Sequence, residues 1–127
     1  MAQEEIYYDD RVFSEADVLE KGRRTTNFNS CTFKKCNFSE VDFRSCIFTN
    51  CEFDSCNLSM VKFNDVGLDN VDFKNSKLVG TDFSVAKDFL FSVNFTDCIL
   101  DYSTFVKKKN KKAKFIGCSL KGTDFSE

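Results

Sequence analysis

Residues 26–85 read TNFNS CTFKK CNFSE VDFRS CIFTN CEFDS CNLSM VKFND VGLDN VDFKN SKLVG TDFSV. The third position of each block, here called the centre, is Phe28, Phe33, Phe38, Phe43, Phe48, Phe53, Leu58, Phe63, Leu68, Phe73, Leu78 and Phe83, twelve in succession. The frame then slips by two residues and resumes as VNFTD, CILDY and STFVK, with centres Phe95, Leu100 and Phe105. It returns as AKFIG, CSLKG and TDFSE, with centres Phe115, Leu120 and Phe125.

A strand period of two would send alternate centres to opposite faces, and a 3.6-residue helix would spiral a five-spaced stripe around its axis. The pattern needs a backbone that turns a corner every five residues, so that each centre points inward. Four sides close a square coil, and stacked coils pair at a spacing of about 4.8 Å. The position two before each centre is Thr, Cys, Val, Ser or Ala in every clean block, which makes it a second, small inward residue. Positions flanking the centre are mostly polar, as an outer wall requires.

The string resembles the pentapeptide-repeat family, whose consensus is a small residue, Asp or Asn, Leu or Phe, then two variable polar residues. The resemblance covers residues 26–127 and implies an all-β solenoid, a right-handed quadrilateral parallel β-helix of about five coils. The Phe-rich, Cys-containing repeats are also similar to the branch that includes the Qnr-type quinolone-resistance proteins. That likeness implies a rod-shaped dimer that imitates duplex DNA and protects or inhibits a type II topoisomerase, DNA gyrase or topoisomerase IV.

Residues 1–25 fall outside the register and are expected to cap the first coil. Ser14, Asp17 and Gly22 mark a short helical turn there, with Phe13, Val18 and Leu19 laid over the open end. Solenoids need such caps, because an end coil exposes its core and its backbone edge.

Composition narrows the function. The 127 residues contain 16 Phe but no His, Trp or Pro. Without histidine there is no Ser–His or Cys–His nucleophile pair and no imidazole metal ligand. No glycine-rich phosphate loop occurs, and a filled interior leaves no pocket. A non-enzymatic protein with no cofactor and no metal is the expectation. No apolar run approaches the ~18 residues of a membrane span, and the N-terminus has no signal-peptide pattern. The seven cysteines (31, 36, 46, 51, 56, 98 and 118) all occupy the small inward position. Neighbours in sequence fall on adjacent sides, so no four converge on a metal. Reduced, buried thiols and a cytoplasmic location follow.

The net charge of −2 hides a gradient: −3 over residues 1–25, −4 over 26–106 and +5 over 107–127. Side one, the wall of Phe28, Phe48 and Leu68, meets two consecutive defects. The first is Ala86-Lys87-Asp88-Phe89-Leu90-Phe91-Ser92; the second is Lys107-Lys108-Lys109-Asn110-Lys111-Lys112. Lys108 falls in the small inward slot, where burial is costly, so the wall is expected to loosen or bulge outward.

Lys87, Phe89, Phe91, Lys107, Lys108, Lys109, Lys111 and Lys112 are the candidate partner contacts. Two readings stand for each defect: a solvated lysine corner or a basic patch, and an aromatic packed inward or a loop that meets a partner. Asp42, Asp82 and Asp124 line side four with Lys62 interrupting, which limits DNA mimicry. No direct nucleic-acid binding is expected, since no helix is available for a groove. The primary expectation is therefore a protein-interaction or structural module, with the topoisomerase partner as the alternative. The sequence stops inside a repeat; either a longer chain continues it or a partner covers the layer. A homodimer through Phe105, Phe115, Leu120 and Phe125 is the expected cover.

Overall fold

The computed structural model describes residues 5–14, 25–108 and 112–126. Its ten strands are β1 (Ile6–Asp9), β2 (Val12–Ser14), β3 (Thr26–Asn29), β4 (Thr32–Lys34), β5 (Ile47–Thr49), β6 (Glu52–Asp54), β7 (Gly67–Asp69), β8 (Val71–Lys74), β9 (Val93–Thr96) and β10 (Phe115–Ile116). All strand pairs are parallel. They form a β-solenoid of about five turns, with no helix among the described residues.

Sides one and two are continuous sheets. Side one stacks β1-β3-β5-β7, and side two stacks β2-β4-β6-β8-β9-β10. Sides three and four are thinner, held by single bridges such as Asn37 to Asn57, Lys77 to Ile99 and Thr104 to Asp124. There the residue before the centre caps its own turn: the Asp42, Asp82 and Asp124 carboxylates accept the N–H of Arg44, Ser84 and Ser126 at 2.8–2.9 Å. Such Asx turns are the local alternative to a ladder.

The corners use a left-handed backbone. The residue two after a centre has positive φ at nearly every described corner, for example 54° at Ser30, 61° at Glu40 and 65° at Gly80, with Val85 the exception. That conformation costs an L-residue about 1–2 kcal/mol, which explains why Asn, Asp, Ser and Gly recur at the position. Gly80 has a further reason: a Cβ there would lie 2.6 Å from Met60 Sδ on the coil below.

The centres fill the interior, with Phe28, Phe33, Phe48, Phe53, Phe63, Phe73 and Phe83 fully buried. The small inward residues pack beside them and also donate hydrogen bonds. Cys51 Sγ, Cys56 Sγ and Thr81 Oγ1 reach the carbonyls of Phe28, Phe33 and Leu58 at 3.3, 3.2 and 2.9 Å. Each of these carbonyls belongs to a centre one coil below. The column is thus more than apolar filler: a thiol or hydroxyl there adds a hydrogen bond to a backbone carbonyl of the coil below.

One boundary differs from the sequence expectation. Residues 6–14 keep the register, because Tyr8 lies beside Phe28 in β1–β3 and Phe13 beside Phe33 in β2–β4. The coil therefore begins before residue 26, with Tyr8 and Phe13 as its first centres. The blocks IYYDD and RVFSE sit twenty residues before TNFNS and CTFKK, a spacing already present in the chain. Ser14 ends a strand, and the rest of the expected helical turn, residues 15–22, lies outside the described residues.

Candidate functional site

The regular coil produces one prominent irregularity, on side one. Its wall is ordered through β7, and Lys87 N–H then donates to the Val66 carbonyl at 2.9 Å as a normal rung. The next normal rung is Ser92 N–H to the Leu68 carbonyl, also 2.9 Å. Between them the chain must spend four residues where the repeat allows fewer, and it loops outward. A turn from Asp88 O to Phe91 N–H at 3.2 Å closes the loop.

The loop splits its apolar residues. Phe91 turns in and packs against the core cluster, taking the place of the missing centre. Phe89 and Leu90 turn out, 78% and 57% exposed. Leu90 has φ 58°, a conformation that disfavours a bulky side chain. The aromatic packed inward is thus Phe91, while Phe89 and Leu90 project from the coil.

Lys108 contradicts the expected outward bulge. Its side chain is only 2% exposed. It sits in the small inward column of side one, above Thr26, Cys46, Val66 and Ala86, and points back along the coil toward the loop. Its ammonium donates to the Ala86 carbonyl and to Asp88 Oδ1, each at 2.6 Å. It also lies 4.7 Å from the centroid of the Phe91 ring. Burying an ammonium is costly unless it is paired and hydrogen-bonded. Here a carbonyl, a carboxylate and an aromatic face supply the pairing, so the column stays closed.

Lys108 is therefore not available to a partner. Lys87, Lys107 and Lys112 are exposed, whereas Lys109 and Lys111 fall within 109–111, outside the described residues. Sequence reasoning missed Asp88 and Leu90. The signal for Asp88 was its position near a lysine placed in an inward slot one coil later.

The C-terminal layer also needs a correction. Phe105 is 1% exposed, stacked 5.2 Å beneath Phe125. It belongs to the layer below and cannot touch a second copy. The outermost layer is Phe115, half-buried, with Leu120 at 37% and Phe125 at 44% exposure.

Elsewhere the walls offer little for chemistry. No group of three His, Cys, Asp or Glu among the described residues could hold a metal ion. No helix there is long and apolar enough to cross a membrane. Burial raises the Cys51 and Cys98 thiols to about 11 and Cys56 to about 12, which leaves them protonated and poor nucleophiles at neutral pH. The Asp124 carboxyl is held below its ordinary value by hydrogen bonds from the Ser126 hydroxyl and N–H.

The profile of the pentapeptide repeat region matches residues 26–88. This is a pentapeptide-repeat protein. Among solved structures it is similar to a trypsin-treated variant of QnrB1, a plasmid-mediated fluoroquinolone resistance protein, at 22% identity and a TM-score of 0.41 over 95% of this chain and 68% of that one. For full-length QnrB1 the values are 20% and 0.40, over 92% of this chain and 71% of that one. No curated protein matches the chain. The pentapeptide-repeat protein thus departs from its own regular pattern on side one, where the insertion at 86–92 meets Lys108.

Proposed function

We propose that this pentapeptide-repeat protein is a non-enzymatic protein-interaction module whose contact is the side-one loop, residues 87–91. One observation carries the proposal: an otherwise regular coil places Phe89 and Leu90 outside, adjacent to each other, on an insertion. Aromatic residues, Phe among them, are enriched at interface cores, and exposed Leu90 enlarges the apolar area that Phe89 offers. Lys87, Lys107 and Lys112 give the loop's surroundings a positive character, while Asp88 is engaged by Lys108. The complementary partner surface is an apolar pocket with an acidic rim. A cytoplasmic location suits the proposal, since thiols stay reduced there. A second copy of the chain is proposed to cover Phe115, Leu120 and Phe125, the apolar layer at the C-terminal end.

The alternative, protection of DNA gyrase or topoisomerase IV by DNA mimicry, asks for a continuous acidic wall. On side four the Asp42, Asp82 and Asp124 carboxylates are turned onto their own backbone, and Lys62 stands between the first two.

A photo-crosslinker at position 89, compared with one at Ser55 on side two, tests the contact. A discrete cellular adduct from position 89, absent from Ser55, is expected. Equal labelling from both, or none from 89, rejects the loop as the contact. Gyrase supercoiling with a fluoroquinolone then separates the two partner classes. Protection by the wild type that Phe89→Ala abolishes would make the topoisomerase the partner; no protection removes that alternative.

A further inference from the structure

We propose that Lys108 is a positioning residue, a buried pin by which the fifth coil holds the 86–92 loop of the fourth in its presenting conformation. The inference rests on the loop being the contact, and adds that the contact is built from two coils instead of one.

The geometry separates this role from ordinary packing. The inward column of side one runs Ile6, Thr26, Cys46, Val66, Ala86 and Lys108, so a long cation arrives where every earlier coil has a shorter, uncharged residue. Space for it exists because its neighbour below is Ala86. Among the described residues the ammonium has three partners, the Ala86 carbonyl, Asp88 and the Phe91 ring, and all belong to the loop segment.

The partners also mark the points that define the loop's shape. Ala86 is the last buried inward residue before the loop, Asp88 is where the chain turns out, and Phe91 is where it returns. A neutral side chain of the same length would fill the column yet hold none of the three. Asp88 shows the asymmetry of the arrangement. Its side chain is 89% exposed while Lys108 is 2% exposed, so a carboxylate that stands in solvent is held at one oxygen by a cation enclosed in the coil. With Asp88 engaged and Phe91 inside, Phe89 and Leu90 are the residues left to project. Ordering a loop before binding removes an entropic cost from association.

Hydrogen–deuterium exchange on the partner-free protein tests the pin without reference to any partner. In Lys108→Met, which keeps the length and removes the charge, the Phe91 and Ser92 amides are expected to exchange about tenfold faster. The Phe73 and Lys74 amides of β8 should not change. Lys108→Arg, which restores the cation, should recover part of the protection. Should Lys108→Met fail to fold, Asp88→Asn offers the second route, because its exposed side chain can be changed without disturbing the core; a rise of about threefold at Phe91 is expected. Unchanged exchange at Phe91 and Ser92 in Lys108→Met, or in Asp88→Asn where the former does not fold, overturns the pin. A crosslink from position 87 lost in Phe89→Ala but kept in Lys108→Met, with fast exchange, would instead show a real pin that the contact does not need. Fast exchange with no position-89 crosslink in the wild type leaves the pin standing and removes the contact.

Discussion

Sides one and two begin alike and end differently. On side two, Phe13, Phe33, Phe53, Phe73, Phe95 and Phe115 stack ring on ring, with neighbouring centroids 4.6–5.2 Å apart. On side one the stack is Tyr8, Phe28 and Phe48 at 5.4 and 5.0 Å, followed by Leu68 and then the loop. An unbroken ring column fixes register at every coil, since a slip of one residue would turn a buried Phe outward. Once the column on side one passes to Leu68 and loses its centre, an insertion no longer has a ring to displace. The fold thus keeps an unbroken ring column on one wall and leaves the insertion, with exposed Phe89 and Leu90, on the adjacent one.

The largest effect should come from breaking the regular wall. Phe53 is fully buried between Phe33 and Phe73 at 4.6 and 5.1 Å. Phe53→Ala should cost about 3–5 kcal/mol through lost burial and a cavity, measured by chemical denaturation. Asp54→Ala, one step along the same strand, should stay within about 0.5 kcal/mol. Similar losses at both positions would contradict the inward assignment of the centres.

A smaller effect should appear at high pH, through the thiols packed beside the ring columns. Burial raises Cys51 and Cys98 from 9.0 to about 11 and Cys56 to about 12. Above pH 9 the unfolded chain releases these protons while the folded chain retains them, so stability is lost as pH rises through the folded values. The Tm should therefore fall between about pH 9 and 12. The fall should be shallower in a Cys51→Ala, Cys56→Ala, Cys98→Ala variant, a comparison that cancels lysine and tyrosine titration. Parallel curves for the two proteins would show that the thiols are solvated.

The wall and the loop were unequally legible in the chain. A five-residue period with one apolar centre admits few backbones, so the coil, its four sides and its inward thiols could be read directly. Tyr8 and Phe13 were equally regular but escaped notice, because residues 15–25 interrupt the run that would have linked them to Phe28. Lys108 was harder for a physical reason. Its slot was correctly placed, but the cost of burying an ammonium depends on what stands opposite. The Ala86 carbonyl, Asp88 and the Phe91 ring converge on it only after the insertion has folded. Spacing reports which way a residue points and not what awaits it. Phe105 is the opposite case, since the twenty-residue coil already sets Phe125 over it, as the stacked rings show.

The smallest effect is the sharpest test of why side one is irregular. Leu90 has φ 58° and 57% exposure, so it is a bulky aliphatic in a conformation that suits Asn or Gly. If the loop serves only the fold, Leu90 must be compensated by packing, and Leu90→Asn should destabilise. If Leu90 is kept for a partner, the fold gains nothing from its side chain. Leu90→Asn should then be neutral or stabilising by up to about 1 kcal/mol, because Asn tolerates the left-handed region. Phe89→Ala should stay within about 0.5 kcal/mol. Denaturation of both variants beside wild type, with crosslinking from the neighbouring position 87, reads stability and contact together. Unchanged or higher stability with loss of the crosslink is the expected pair of results. A loss of more than about 1 kcal/mol in Leu90→Asn would mean that the side chain packs on the coil, and would make the exposed apolar pair a feature of folding instead of recognition.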